Sequence, residues 1–322
     1  MKVIAVGDLH LKMVPNVPKQ WQIDRYEEFI DNLISDCVDK RAILALCGDT
    51  LDSIDPKKEE LRLFMYLMHE LNKTGVTTLL VAGNHEKLKD GESIIDYLEV
   101  DRFDNVFYRT SPTFLGVTFH LVNHDSIHYY TPNFTEGTNI LISHARCEVP
   151  PHIKEEIDFK KFTKGYDLCV LGDIHMPMAF GNVIYTNNPV NKEFEYAPEC
   201  GYVEIEIDGG ITTTRKTLDY PHLVYRKRNA DDVYLASFEG YKDFFKIDVE
   251  GTPEELRAIK DIPENVRVCK IPKLEKHLEV KVEESLAEEA VDTPDDLQSY
   301  MKSLGYSDSL IADMMAELRR EL

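Results

Sequence analysis

Five short apolar runs, at residues 3–7, 43–48, 78–82, 139–143 and 167–172, limit what this chain can fold into. Each is rich in Val, Ile and Leu and is closed by a turn former, the pattern of strands buried on both faces. Helical patterns lie between the first three. Residues 24–38 place Tyr26, Phe29, Ile30, Leu33, Ile34 and Cys37 at spacings of three and four, and residues 59–72 do the same with Leu61, Phe64, Met65, Met68 and Leu71. Strand, helix, strand, helix, strand is an α/β beginning. From about 103 to 220 strands predominate, and Val203-Glu204-Ile205-Glu206-Ile207 alternates apolar and acidic residues as a half-exposed edge or surface strand does.

A second region starts near Tyr225. Phe244 to Val249 and Val266 to Ile271 read as strands, and Thr252-Pro253-Glu254-Glu255 is a helix start with Thr as N-cap, Pro at N1 and Glu at N3. Seven carboxylates and no base between Glu283 and Asp296 mark a solvated linker, placed at 282–292. Beyond it, Leu297, Tyr300, Met301 and Leu304 form one apolar helical stripe; after Gly305, Leu310, Ile311, Met314, Met315 and Leu318 form another. A helix pair this small cannot bury such a face alone, so it packs back on its own protein or binds a partner. The expected division is therefore 1–222, 223–281, 282–292 and 293–322.

The 322 residues carry 37 Lys+Arg against 58 Asp+Glu, a net charge of −21. That excludes a basic coat for nucleic acid or a membrane-surface protein, which bind polyanions by neutralising phosphates. It leaves room for a phosphate substrate where metal ions supply the positive field. No pair among the six cysteines is spaced C-x-x-C, and several sit in apolar runs, so buried reduced thiols are expected. With no signal-like start and nothing near the 18 to 20 or so apolar residues of a membrane span, the expected location is the cytoplasm.

The residues that follow the runs carry the chemistry. They are Gly7-Asp8-Leu9-His10, Gly48-Asp49-Thr50-Leu51-Asp52, Gly83-Asn84-His85-Glu86, Ser143-His144-Ala145 and Gly172-Asp173-Ile174-His175. In an open α/β sheet the carboxyl ends of the strands converge on one crevice. Asp, Asn and His gathered there make a mixed oxygen and nitrogen donor set suited to manganese, iron, zinc or magnesium. Each small residue ahead of a ligand is expected to allow the tight turn that aims it inward.

This ordered series resembles the calcineurin-like metallophosphoesterase superfamily, with its D-x-H, G-D-x-x-D, G-N-H-D/E, lone His and G-H-x-H. The resemblance implies a four-layer αββα sandwich over 1–222. It also implies one metal held by Asp8, His10, Asp49 and His175, and another held by Asp49 as bridge, Asn84, His144 and Asp173. His85 would face the substrate and stabilise or protonate the leaving oxygen. In Gly172-Asp173-Ile174-His175 a carboxylate replaces a neutral nitrogen donor, which makes the second site more negative and harder and favours manganese, or magnesium, over zinc. Asp173 then ligates directly or through water. Glu86, in place of the commoner Asp, is expected to orient His85 or nearby backbone.

Phosphoprotein phosphatases carry arginines after G-D-x-V-D and before G-N-H-E, and both are absent here. The SbcD-type nuclease branch fits better, through Asp8-Leu9-His10-Leu11, Gly48-Asp49 with Leu51-Asp52, and the run from Gly172 to Pro189. Asn187-Asn188, expected to contact substrate, stands where that branch usually has Gly-Ser, and Asn adopts the left-handed conformation less freely. This resemblance implies a DNA nuclease of a recombination and repair complex, using two divalent ions, manganese first, as a homodimer bound to an SbcC-like ATPase. The altered motifs look most like phage versions, which would place it in a host cytoplasm. The small capping domain would be 223–281, and the helix pair at 293–322 would reach the ATPase. Helices at 59–73 and 92–100 serve a dimer or the core. Lys87 and Lys89 touch the DNA backbone or are solvated loop lysines, Arg226-Lys227-Arg228 grips phosphate or is a solvated face, and Asn123-His124-Asp125 is read as structural. The rival functions are a stand-alone phosphodiesterase for small nucleotides and a catalytically weak scaffold subunit.

Overall fold

The computed structural model describes residues 1–89, 91–146, 156–195 and 200–273. Its first half runs β1 (Lys2–Val6), α1 (Lys19–Lys40), β2 (Ile43–Cys47), α2 (Lys58–Thr74), β3 (Thr78–Val81), α3 (Ile94–Tyr97), β4 (Val106–Tyr108), β5 (Thr113–Phe114), β6 (Val117–Val122) and β7 (Thr138–His144). Then come α4 (Phe159–Phe162), β8 (Leu168–Gly172), β9 (Met178–Phe180), β10 (Val183–Tyr185), β11 (Gly201–Ile207) and β12 (Ile211–Thr217). The described chain ends with β13 (Leu223–Asn229), β14 (Phe244–Gly251), α5 (Pro253–Ala258) and β15 (Val266–Pro272).

Two six-stranded sheets have the orders β12-β11-β1-β2-β3-β4 and β5-β6-β7-β8-β10-β9. The runs β1 to β4 and β6-β7-β8-β10 are parallel, with antiparallel strands added only at the flanks. Alternate residues explain why these strands are apolar throughout. Val3, Ala5, Ala45, Leu79 and Val81 face Phe119, Leu121, Ile140, Ile142 and Val170 of the other sheet. Their neighbours Ile4, Val6, Leu44, Leu46 and Leu80 pack on Tyr26, Phe29, Ile30 and Leu33 of α1 and Phe64, Leu67, Met68 and Leu71 of α2. The outer face of the second sheet is covered by Ile127, Ala145, Ile157, Tyr166 and Ile174, with one helical turn, α4, as its only helix among the described residues.

Three readings shift in detail. The alternating segment at 203–207 is β11, which lies between β1 and β12 rather than at the edge. Phe64, Met68 and Leu71 are spent on the core, leaving only Leu61 and Met65 of the α2 stripe partly exposed. Residues 92–100 hold a single turn, α3, with Ile95 buried and Tyr97 exposed.

The last three strands form a separate parallel sheet, β13-β14-β15. α5 starts as its sequence dictates: the Thr252 hydroxyl accepts from the Glu255 N–H, the Glu255 carboxylate accepts from the Thr252 N–H, and Pro253 fills the first turn. Val224, Phe245, Ile247, Val249, Leu256 and Val266 make its core. Leu223 and Phe244 join it to Val17 and Trp21 near α1, and the Trp21 indole donates to the Lys242 carbonyl at 3.1 Å. Cys37, Cys47, Cys169 and Cys200 are buried thiols outside any disulfide, while Cys269 is half-buried. No described helix is long and apolar enough to cross a membrane. The linker at 282–292 and the helix-pair residues from Leu297 to Leu318 lie outside the described residues.

Candidate metal centre

The loops after β1, β2, β3, β7 and β8 meet at one end of the two sheets, where the carboxyl ends of parallel strands point. Backbone bonds zip the first two together. The Asp8 N–H donates to the Gly48 carbonyl at 3.0 Å, His10 to Asp49 at 2.8 Å and Leu11 to Thr50 at 2.9 Å. Buried Glu60 fastens this loop to α2, one oxygen accepting from Met13 N–H and the other from Lys57 N–H, each at 2.7 Å.

The expected division of labour between glycine and ligand is corrected here. Of the glycines ahead of the ligands, Gly48 alone has a left-handed φ, +85°; the ligands themselves carry the strain, with φ of 54° at Asp8, 42° at His10, 50° at Asp49 and 90° at Asp173. Such backbone costs of order 1–3 kcal/mol per residue and persists where its surroundings enforce it. The other glycines are there for closeness. A Cβ at Gly83 would lie 2.0 Å from Asp49 Oδ1, and one at Gly172 would lie 2.2 Å from the Cys47 carbonyl oxygen.

Asp49 is the centre of the cluster. Its Oδ2 lies 3.5 Å from His10 Nε2, 3.4 Å from His144 Nε2 and 3.9 Å from His85 Nε2, while its Oδ1 accepts from the His85 N–H at 3.0 Å. On one side, Asp8 Oδ1 is 3.4 Å from His175 Nε2, which is 3.2 Å from His10 Nε2. On the other, His144 Nε2 is 3.1 Å from Asn84 Oδ1 and 3.7 Å from Asp173 Oδ1. All seven expected ligands therefore gather, and His85 stands beside them with 41% of its side chain exposed.

Second partners orient the rings. His144 Nδ1 faces the Cys47 carbonyl at 2.8 Å and His85 Nδ1 faces the Asp52 carbonyl at 2.8 Å, so each ring keeps Nε2 toward the cluster. His10 Nδ1 lies 3.0 Å from Asp52 Oδ1. Hydrogen bonds of this kind fix the tautomer of a ligating histidine and raise its basicity. Glu86 does what its length suggested, accepting from Leu51 N–H at 2.9 Å and Gly83 N–H at 2.8 Å.

Electrostatically the cluster calls for cations. Burial pushes Asp49 up, but His144, His10 and His85 outweigh it and hold Asp49 below the ordinary carboxylate range; Asp8 is lowered against its burial by His175, His144 and His10. Burial would lower His144, yet Asp49, Asp8 and Asp173 draw it up to about 10. Burial and the charge of Asp49 raise Glu86 to about 7, and burial raises Asp173. Three groups, Asp8-His10-His175, His10-Asp52-His85 and Asp8-Asp49-His144, each bring their donor atoms within 4.8 Å of one another. Asp173 Oδ2 is buried without a hydrogen bond. Paired carboxylates and imidazoles, with Asp173 Oδ1 on the His144 side, fit two divalent ions.

Other expected residues lie elsewhere. Lys87 and Lys89 are exposed on the loop after β3. Asn187 is fully buried with φ 64°, and its Oδ1 accepts from the Asn188 N–H at 2.7 Å. The pair shapes a turn and offers little side-chain surface. Asn123 is structural, its Oδ1 accepting from Ala82 N–H at 3.0 Å, and Arg226, Lys227 and Arg228 lie along β13. Three residues outside the expected donor set adjoin the centre. Asp52 stands behind His10, Lys192 Nζ is 3.0 Å from His10 Nε2, and Arg146 Nε is 3.0 Å from Asp173 Oδ2. Asp52 was legible as the end of G-D-x-x-D, and Arg146 only by its place two residues after His144.

The profile of the calcineurin-like phosphoesterases matches residues 1–203. The chain is similar to the probable exonuclease subunit 1 of Escherichia phage T5, 28% identical over 287 residues that make up 81% of this chain and 82% of that one. It is also similar to the DNA double-strand break repair protein Mre11 of Methanopyrus kandleri, 27% identical over 205 residues, 55% of this chain and 45% of that one. A solved Thermus thermophilus structure overlays at a TM-score of 0.41 with 13% identity, covering 66% of this chain and 98% of that one.

Proposed function

From membership in the calcineurin-like phosphoesterase family, to which this chain belongs, we infer a metal-dependent deoxyribonuclease that hydrolyses DNA phosphodiesters as the nuclease subunit of an SbcC-SbcD-type complex. The gathering of six further donors around Asp49, with His85 open beside them, carries the reading. The two nuclease-like relatives support DNA as the substrate. Asp8, His10, Asp49 and His175 would hold one ion, and Asp49, Asn84, His144 and Asp173 the other. When bound, manganese or magnesium would polarise the phosphoryl oxygens and lower the pKa of a water for in-line attack.

The chain's own residues do the rest. Asp52 and the Cys47 carbonyl hold His10 and His144 with Nε2 inward. The Asp52 carbonyl accepts from His85 Nδ1–H, so in this reading it is the imidazolium form of His85 whose Nε2–H is aimed at the leaving oxygen and gives it a proton or a hydrogen bond, leaving the neutral ring with its proton on Nδ1. In this reading residues 1–222 are the nuclease domain, 223–281 the cap, 282–292 the linker and 293–322 the ATPase-binding helix pair, with the nuclease subunits paired as a homodimer.

The test is cleavage of linear duplex DNA and of a simple phosphodiester, with and without manganese, by the chain and by His85→Ala. Both substrates should be cut only with metal, and the substitution should slow cutting about 10²- to 10⁴-fold, the usual weight of a general acid. A chain that binds manganese yet cuts neither substrate, or that cuts equally well without His85, would overturn the reading.

A further inference from the structure

The carboxylate at position 173 stands where the resembled family has a neutral histidine, and the structure supplies what the sequence left unbalanced. Arg146 Nε is 3.0 Å from Asp173 Oδ2, and the Asp173 side chain is only 8% exposed. Arg146 is held in that position from behind. Its Nη2 donates to Glu156 Oε1 at 2.8 Å, its N–H to Glu156 Oε2 at 3.2 Å, and its carbonyl accepts from the Glu156 N–H at 3.0 Å. Glu156 Oε1 in turn lies 3.4 Å from His124 Nε2, so a chain of contacts aims the guanidinium at the metal centre.

We propose that Arg146 sets the charge and the ion preference of the second metal site, acting through Asp173 as a positioning residue. The pair presents an oxygen donor whose negative charge is offset by the Arg146 guanidinium, which it shares with Glu156. The contact is electrostatic rather than aligned as a hydrogen bond, since neither Arg146 Nε nor Asp173 Oδ2 has a hydrogen-bond partner. The acceptor orbitals of Asp173 are thus left for an ion, while the Arg146 charge, partly offset by Glu156 behind it, limits how tightly that ion is held. The site keeps the hardness of oxygen, which favours manganese and magnesium over zinc, without the surplus negative charge that would trap the ion.

This inference rests on the two-ion reading of the centre, and its test reads metal binding rather than cleavage. Manganese and, separately, zinc are titrated into the full chain by calorimetry. Wild type should take up two ions. Arg146→Met, which frees the carboxylate, should tighten the second ion about 10- to 100-fold, a span typical of residues behind a metal ligand. Asp173→His leaves Arg146 facing a neutral ring and should weaken the second ion by a similar factor, and adding Arg146→Met should restore it. Arg146→Lys should bind like wild type. Unchanged binding in Arg146→Met, or a double variant no tighter than Asp173→His alone, overturns the proposal. Should Arg146→Met fail to fold, Asp173→Asn carries the test: its second ion should weaken while circular dichroism stays native, and wild-type binding overturns the proposal. One ion or none in wild type would sink the two-ion reading itself, whereas two ions indifferent to Arg146 would sink this inference alone.

Discussion

Asp52 shows how much of the candidate centre is built by a residue outside the expected donor set. Its carboxylate meets His10 Nδ1 at 3.0 Å, Lys12 at 3.0 Å and Lys192 at 3.4 Å, and its carbonyl holds His85. Burial acts to raise it, but His10, Lys12 and Lys192 together hold it below the ordinary carboxylate range. Asp52→Asn keeps the shape and removes the charge behind His10. It is expected to lower manganese affinity about 10- to 100-fold with the fold intact, as metal titration and circular dichroism would show. Gly83→Ala is a different test, because its Cβ would overlap Asp49 Oδ1 at 2.0 Å and the Asp49 nitrogen at 2.6 Å. Overpacking of this kind costs about 1–3 kcal/mol, so urea unfolding should shift by that amount and metal binding should be lost with it. The expected donors were readable from sequence because each is local to its strand end. Asp52 was readable as a motif position but not as a buttress, Arg146 only by its place near His144 and Lys192 not at all, because the partners of these two come from loops far along the chain.

At the scale of elements, α2 was recognisable by its period, but the period could not say what its stripe faces. The fold assigns Phe64, Met68 and Leu71 to the core beside α1. Met68→Ala should therefore cost about 2–5 kcal/mol in urea unfolding and leave the sedimentation coefficient unchanged; loss of a dimer without loss of stability would contradict this. α5 is the opposite case, since its cap, proline and carboxylate are all local and were legible as written. Thr252→Ala should lower stability by about 1 kcal/mol without slowing hydrolysis of a small diester. The position of β11 could not be read from its alternation. Half-burial looks the same at an edge and one strand inside it, and only pairing with β12 on one flank and β1 on the other separates the two.

For the whole molecule, the charge of −21 and the crowded carboxylates make metal ions part of stability as well as of chemistry. An ion that binds only the folded state stabilises by mass action, about 2.7 kcal/mol at a hundredfold excess over its dissociation constant. Chelation of manganese should accordingly lower the calorimetric melting temperature, and wild-type melting indifferent to chelator would contradict the donor set. By itself the sequence determined the α/β class, the strand ends that carry Asp, Asn and His, and the start of α5, because each depends on neighbours within a few residues. Only the tertiary structure decided that Asp49 lies between two histidines from different sheets, that strain sits on the ligands rather than on their glycines, and that Arg146 answers Asp173. The physical reason is that charge compensation and close packing act through space across distances of a few ångströms, and residues 27 positions apart in the chain are brought that close only when β7 and β8 lie side by side.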